Sequence, residues 1–216
     1  MFKNILLLII SVTAGTLLII LGFLWVSPRS TQVLKIILPQ SLFSLEKAPA
    51  DSLIGEIASI SGKVAWQSRI APVSILINAP LKLQQGEEVD TYSDGNATIN
   101  FPKIATMSAS FNTQLSFIQT LPENFVVWQK QGLADYNKNG EVQISVVALD
   151  LLINLDLGQC SILVDKDTAK VTVSVKTGLA TVAFNDSDNN TNVVLLKTGD
   201  QYIFDDNTKT GVVRSL

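Results

Sequence analysis

Three short motifs in this sequence carry residue types that could perform acyl transfer through a serine. Ser44 and Lys47 form S-x-x-K, residues 187–189 read S-D-N, and K-T-G occurs twice, at 176–178 and 197–199. A serine hydroxyl becomes a nucleophile when a neighbouring base removes its proton, and a lysine one helical turn away can supply that base. The motifs therefore raise the hypothesis of a serine acyl-enzyme.

The surroundings of the motifs argue against this hypothesis. Serine β-lactamases and penicillin-binding proteins carry these motifs in this order, around a cleft that requires a helical subdomain. Here Ser44 lies between Pro39 and Pro49, and Ser187 is only ten residues from Lys197 across one predicted hairpin. Because three-residue motifs recur by chance, we interpret both K-T-G triplets as turns. We predict that the chain is not an enzyme and has no catalytic residues.

A second motif resembles a calcium-binding loop. Asp135, Asn137, Asn139 and Gly140 match the first, third, fifth and sixth positions of an EF-hand loop. Such a loop closes with a bidentate carboxylate at position twelve, where this chain has Val146. The segment is therefore predicted to be a hairpin turn, with the Val146 side chain packed in a strand rather than beside a metal.

The remaining candidate ligands are few. The chain has no histidine, and a single cysteine excludes an intramolecular disulfide and a cysteine-cluster metal site. Apolar neighbours predict that Cys160 is a small buried side chain. Asp186, Asp188 and Asn190 lie in a polar stretch without a glycine or a closing acid, which predicts a solvated loop. We expect no metal and no cofactor. The net charge of −3 disfavours nucleic acid as a partner.

An apolar stretch at the N-terminus predicts a membrane anchor. Residues 5–26 carry no charge, and as a helix they would be roughly 33 Å long against a hydrocarbon core of about 30 Å. Trp25 stands at one end, and Lys3 and Arg29 flank the stretch. A cleaved signal peptide is the alternative, but its apolar region is normally shorter than this one, which favours an uncleaved anchor. The predicted organisation is a cytoplasmic tail at 1–4, a transmembrane helix at 5–26, a connector at 27–52 and a β domain at 53–216.

The rest of the chain alternates apolar and polar residues at the period of a β-strand. Val, Ile, Thr and Phe dominate these segments, and short polar clusters separate them. Trp66 and Trp128 are interpreted as core or strand-face aromatics. A glycine precedes a new strand at several places, where positive φ is expected; these are Gly62, Gly86, Gly132, Gly178 and Gly199. The predicted fold is all-β, a β-sandwich or a short β-solenoid of about eleven short strands joined by glycine turns.

Five segments in order resemble the FecR domain, a β-rich module of bacterial envelope proteins. They read IGEIASISGKVAW, LKLQQGEEVDTYSDGNATINF, SFNTQLSF, VTVSVKTGLATVAF and VVLLKTGDQYIF, and together span roughly residues 54–205. The resemblance implies a non-enzymatic β domain outside the cytoplasmic membrane, with the N-terminus inside. Iron-uptake members of the family control a sigma factor through a cytoplasmic segment, whereas here only MFKN precedes Ile5. The FPKIATMSAS segment also departs from the family pattern.

These observations predict a single-pass protein of the cell envelope whose β domain faces the periplasm or the cell surface. Its expected role is that of a scaffold or binding module for an envelope protein or a glycan, tethered to the lipid bilayer. The alternative is a signalling component that transmits an outside signal through its transmembrane helix to a membrane partner.

Overall fold

The computed structural model describes residues 47–215, which form fifteen β-strands and no helix. This confirms the prediction of an all-β domain. No helix in this part of the chain has the length and hydropathy needed to cross a membrane, and the predicted anchor at 5–26 lies outside the described residues. The strands are β1 Gly55–Ser61, β2 Val64–Gln67, β3 Ile75–Ile77, β4 Leu81–Leu83, β5 Glu88–Thr91, β6 Asn96–Phe101, β7 Ala105–Ala109, β8 Gln114–Thr120, β9 Phe125–Lys138, β10 Ile144–Ala148, β11 Leu151–Asp165, β12 Lys170–Asn185, β13 Thr191–Lys197, β14 Asp200–Asp205 and β15 Thr210–Ser215.

The fifteen strands pair into one sheet. The pairing divides this sheet into two halves, which we call leaf A and leaf B. Leaf A runs in the order β4, β1, β6, β7, second half of β9, second half of β11, first half of β12, β14, β15. Leaf B runs in the order β3, β2, β5, β8, first half of β9, β10, first half of β11, second half of β12, β13. Three strands therefore pass through both leaves.

The two leaves pack face to face through aromatic side chains. Phe101 of leaf A lies 5.3 Å from Phe117 and 4.7 Å from Phe125 of leaf B, measured between ring centroids. Phe204 of leaf A lies 4.9 Å from Phe184 of leaf B. Each fully buried side chain of this size stabilises the fold by about 1.5–3 kcal/mol. A single hydrophobic cluster draws on both leaves, so the arrangement is that of a folded-over sheet with one core.

The prediction of about eleven short strands is wrong in number and in length. Strands β9, β11 and β12 contain 14, 15 and 16 residues. Each bends from one leaf into the other at a glycine with positive φ, namely Gly132, Gly158 and Gly178. Positive φ was expected at Gly132 and Gly178, but the chain continues there as one strand instead of turning back. Gly158 was not among the predicted positions.

The bends bring neighbouring strands too close for any side chain. A Cβ atom at Gly132 would lie 2.4 Å from the Asn112 carbonyl oxygen, and one at Gly158 would lie 2.1 Å from that of Thr177. Glycine is therefore required at these bends for two independent reasons: the backbone has positive φ, and the neighbouring backbone leaves no room for a Cβ atom. The other glycines of the predicted series, Gly62, Gly86 and Gly199, also have positive φ and lie between consecutive strands that belong to different leaves.

Candidate functional site

Within the described residues, the S-D-N and K-T-G motifs are not assembled into one site. Ser44 lies outside the described residues. Ser187 lies in the turn after β12, whereas Lys197 ends β13, a strand of seven residues. At about 3.3 Å per residue, the two ends of this strand are roughly 20 Å apart. The other triplet, 176–178, lies at the bend of β12.

The K-T-G triplets shape the backbone, as the sequence predicted in part. Residues 176–178 lie at the bend of β12, and residues 197–199 form the turn from β13 into β14. The Thr198 hydroxyl accepts a hydrogen bond from the Gly178 N–H at 2.8 Å, and the Thr177 hydroxyl accepts one from the Gln159 N–H at 3.1 Å. A bending strand loses ladder hydrogen bonds, and the threonine of the next strand replaces them. Thr113 does the same for the backbone of Leu133 at 3.0 Å. The two triplets consequently lie side by side.

The segment from Asp135 that resembles a calcium-binding loop is not a hairpin, so the prediction of a hairpin turn there is wrong. Asp135 belongs to β9, and the loop after this strand leads to β10, which pairs in parallel with the first half of β9. The chain therefore crosses from leaf A back to leaf B at this point. The prediction for Val146 is confirmed, because its side chain is buried and pairs with Val127 and Ile153. Within residues 47–215 no group of three His, Cys, Asp or Glu side chains is placed to hold a metal.

The polar stretch at 185–192 is a solvated turn, as predicted. The Asp186 carboxylate accepts backbone hydrogen bonds from Asn190 at 2.9 Å and Asp188 at 3.0 Å. The hydrogen bond from the Asn190 backbone, followed by that from the Asn192 side chain, lowers the pKa of the Asp186 carboxyl. This aspartate therefore organises the hairpin between β12 and β13.

A shallow polar cleft of about 240 Å³ lies on leaf A. Asp135 is central to it, because its carboxylate accepts hydrogen bonds from the Ser161 hydroxyl and, at 2.8 Å, from the Lys176 ammonium group. Burial works to raise the pKa of Asp135, but these two hydrogen bonds and the positive charge of Lys176 together outweigh it and lower that pKa. The lining also includes Thr106, Ser108, Tyr136, Asn137, Gln159 and Cys160. The charged groups of the cleft are thus already paired with each other.

Cys160 borders this cleft but is not a reactive thiol. Its side chain is only 3% exposed, which confirms the prediction of a small buried residue. Burial, followed by the negative charge of Asp135, raises the pKa of the Cys160 thiol to about 12. The thiolate, which is the nucleophilic form, is therefore scarce at neutral pH.

The outer face of leaf B carries a line of apolar side chains that we call the apolar row. Its members lie on five adjacent strands, β9 to β13, and are paired in register: Trp128, Val147, Leu152, Ala183 and Val193. Trp128 is 43% exposed, Leu152 38% and Val193 64%. Contiguous exposed apolar side chains of this kind mark interaction surfaces in soluble domains.

Polar groups border the tryptophan end of the apolar row. The Lys130 ammonium group lies 5.1 Å from the Trp128 ring centroid and pairs with the Glu88 carboxylate. Gln114 donates a further hydrogen bond to Glu88. An apolar centre with a polar rim is the usual composition of a protein-binding surface, and tryptophan is the residue most enriched at its energetic centre.

Strand β13 forms the other end of the row and one edge of leaf B. Among the described strands it pairs only with β12. Lys197 donates its N–H to the Asp200 carboxylate at 2.9 Å and not to β12. Because antiparallel pairing alternates, the N–H and C=O groups of Val193 and Leu195 also face away from β12. Both side chains are more than half exposed, so this edge offers backbone and apolar contacts together.

The sequence pattern predicts Trp128 on a strand, which is confirmed, but it does not reveal the row. One indication was present in the sequence, because VVLL at 193–196 is a continuous apolar run rather than an alternating one. Such a run predicts a strand with apolar side chains on both faces. The other members come from separate strands, and only the register brings them together.

The described residues thus form a two-leaf all-β domain with an apolar row on leaf B and a polar cleft on leaf A. Its fold is similar to that of a "putative anti-sigma factor" from Parabacteroides distasonis ATCC 8503, in two crystal structures with TM-scores of 0.50 and 0.51 and identities of 15% and 14%. Each match covers 59% of this chain and 59% of the other. No protein-family model matches the sequence, and no curated protein matches it significantly.

Proposed function

We propose that this chain is a membrane-tethered β domain that binds a protein partner outside the cytoplasmic membrane through the apolar row. The row carries the proposal, because it is a surface line of five registered apolar side chains, three of them exposed, with an aromatic residue and a polar rim at one end. Aliphatic side chains recognise other apolar side chains better than sugar hydroxyls. A protein is therefore the proposed partner, in preference to a glycan.

The edge strand β13 supports the same proposal. A partner strand can add to an open sheet edge and gain main-chain hydrogen bonds, while alternate side chains supply specificity. Here the outward N–H and C=O groups of Val193 and Leu195 stand beside the apolar row. A partner that pairs with β13 would also cover the Val193 end of the row.

A signalling role is the second candidate function. We infer that the domain is FecR-like, on the five sequence segments and on the fold it shares with the anti-sigma factor structures. In this role the β domain would receive a signal outside, and the helix proposed at 5–26 would carry it to a membrane partner. Both functions use the same docking face and differ in what lies beyond the membrane.

The topology is testable by proteolysis. Protease added to intact spheroplasts that contain the full chain is expected to digest residues 53–216, because the proposed anchor leaves the β domain outside. Digestion is followed with an antibody against the β domain, and a cytoplasmic protein serves as the control for intact membranes. Full protection of the β domain in spheroplasts, with digestion after lysis, would contradict the outside location.

Partner binding is expected to depend on Trp128. Replacing Trp128 by alanine removes the largest side chain of the row, and a tryptophan that acts as a binding hot spot contributes about 2 kcal/mol or more, or roughly thirtyfold in Kd. The measurement is the yield of an adduct from a photo-crosslinking amino acid at Leu152 in native membranes, compared between native and Trp128→Ala chains.

Ser108→Ala is the matched control, since Ser108 lines the polar cleft on leaf A. It is expected to leave the adduct from Leu152 unchanged. An adduct that survives Trp128→Ala and disappears with Ser108→Ala would show that leaf A, and not the apolar row, binds the partner.

A further inference from the structure

A second apolar surface lies at the opposite edge of leaf B, in residues 70–77, which we call the overhang. Its four large apolar side chains are strongly exposed: Ile70 61%, Val73 69%, Ile75 57% and Leu76 64%. The overhang is separate from the apolar row. It includes β3, one edge strand of leaf B, whereas the row ends on β13, the other edge strand. The docking face proposed above therefore does not account for it.

The overhang extends past the hydrophobic core. Ile75 and Leu76 are consecutive in β3, so their side chains point to opposite faces of the leaf, yet both are exposed. Ile75 pairs with Trp66, which packs against the hydrophobic core, so Ile75 lies on the inner face of leaf B at an uncovered edge. Leu76 pairs with Ala65 and lies on the outer face. Two exposed apolar faces on one edge strand indicate that something outside the described residues covers it.

The overhang lies where the chain enters the β domain. The Arg69 guanidinium group, next to Ile70 in sequence, donates hydrogen bonds to the carbonyl oxygens of Lys47 and Gln85. Leu53 donates its N–H to the Thr120 carbonyl oxygen at 2.6 Å. These contacts hold the incoming segment against the domain beside the overhang. The proposed tether would therefore enter the β domain beside the overhang.

The overhang itself carries no acid, and its basic neighbour in sequence is Arg69. The acids Glu88 and Asp90 lie on β5, beyond β2, where Glu88 is paired with Lys130. Arg69 binds carbonyl oxygens and forms no salt bridge with an acid among the described residues. The Glu87 carboxylate is occupied by the Trp66 indole N–H at 3.1 Å and the Gln84 N–H at 2.8 Å. Basic groups beside exposed apolar side chains favour the interface of a bilayer that contains anionic lipid.

We propose that the overhang inserts into the lipid–water interface of the membrane that tethers the chain, and so fixes the orientation of the β domain on the bilayer. The inference rests on the proposed tether for its geometry. It adds a second membrane contact, made by the β domain itself, which leaves the apolar row and β13 directed away from the lipid and open to a partner.

The test uses an environment-sensitive fluorophore on a cysteine introduced by Leu76→Cys. Val193→Cys is the matched control, because Val193 and Leu76 are both 64% exposed and lie on opposite edges of leaf B. Native Cys160 is buried and stays in place. The full chain is inserted into vesicles of phosphatidylethanolamine and phosphatidylglycerol, with or without lipids that carry a quencher. We expect a blue shift and loss of emission from the label at position 76, and neither change at position 193.

Two further arms separate the outcomes. Vesicle flotation reports the tether, and the fragment 47–216 tests the overhang without it, because the hydrophobic cluster lies entirely between Leu53 and Phe204. The double variant Val73→Ser, Ile75→Ser is expected to reduce the affinity of this fragment for vesicles by about tenfold or more. Two results together would overturn the overhang proposal and leave the tether intact. The full chain would float with vesicles while its label at position 76 stays unquenched, and the fragment 47–216 would not bind vesicles. In native membranes, a label at position 76 that contacts a protein and no lipid would overturn the overhang proposal as well.

Discussion

Gly178→Ala is expected to destabilise the β domain by about 3 kcal/mol or more, or to prevent its folding. Two effects add at this position. Positive φ, here +87°, costs an alanine about 1–2 kcal/mol. The new Cβ atom would also lie 2.0 Å from the carbonyl oxygen of Leu157, so β11 and β12 must separate at the bend. Overlaps with backbone belong to the small group of changes that cost most.

Gly199→Ala is the matched control, because it lies in the other K-T-G triplet. Its φ is also +87°, but no atom lies within 4 Å of the Cβ position. We expect a loss of only about 1–2 kcal/mol, which is the backbone cost by itself. Urea unfolding of fragment 47–216 measures both variants. Equal losses in the two variants would contradict a tightly packed bend at Gly178.

Gln129→Ala is expected to cost about 4 kcal/mol, because this buried glutamine serves three other polar groups. Its amide donates hydrogen bonds to the carbonyl oxygens of Gly132 and Ile162, each at 2.8 Å. Its side-chain oxygen accepts one from the Tyr136 hydroxyl at 3.0 Å. Each buried group left without a partner costs about 1–3 kcal/mol, and the truncation also leaves a cavity. The measurement is again the free energy of unfolding in urea.

Tyr136→Phe is the comparison for this network. It removes one hydroxyl and leaves only the Gln129 oxygen without its donor, so about 1–2 kcal/mol is expected. In the double variant the two losses should not add, because Tyr136 and Gln129 share a hydrogen bond. Additive losses would show that the two side chains act independently of each other.

The all-β fold and most of the glycine bends were predictable, because period-two alternation and glycine depend on local backbone. Strand continuity was not. The segments 151–157 and 169–175 each end at or near a glycine bend, so they resemble complete strands. In the structure β11 and β12 continue past Gly158 and Gly178 into the other leaf. A glycine with positive φ has the same sequence signature whether the chain turns back or only bends.

The pairing of β9 with β10 was unpredictable for a different reason. Asn139 and Gly140 suggested a hairpin, but Ile144 pairs in parallel with Phe125, nineteen residues earlier in the chain. Strand partners depend on how distant segments pack, which local patterns do not record. The apolar row has the same origin. Each of its five strands contributes one side chain, so no window of the sequence contains the site.

The hydrogen bonds that hold the incoming segment determine how mechanical force would enter the β domain. A pull on the connector of a tethered chain loads Arg69 and the Leu53–Thr120 pair before any other contact described above. Thr120 ends β8, and β8 is paired along its length with the half of β9 that carries Trp128. Tension on the connector would therefore reach the apolar row through one strand, and a proposed partner that pulls on Trp128 would strain the same hydrogen bonds in the reverse direction.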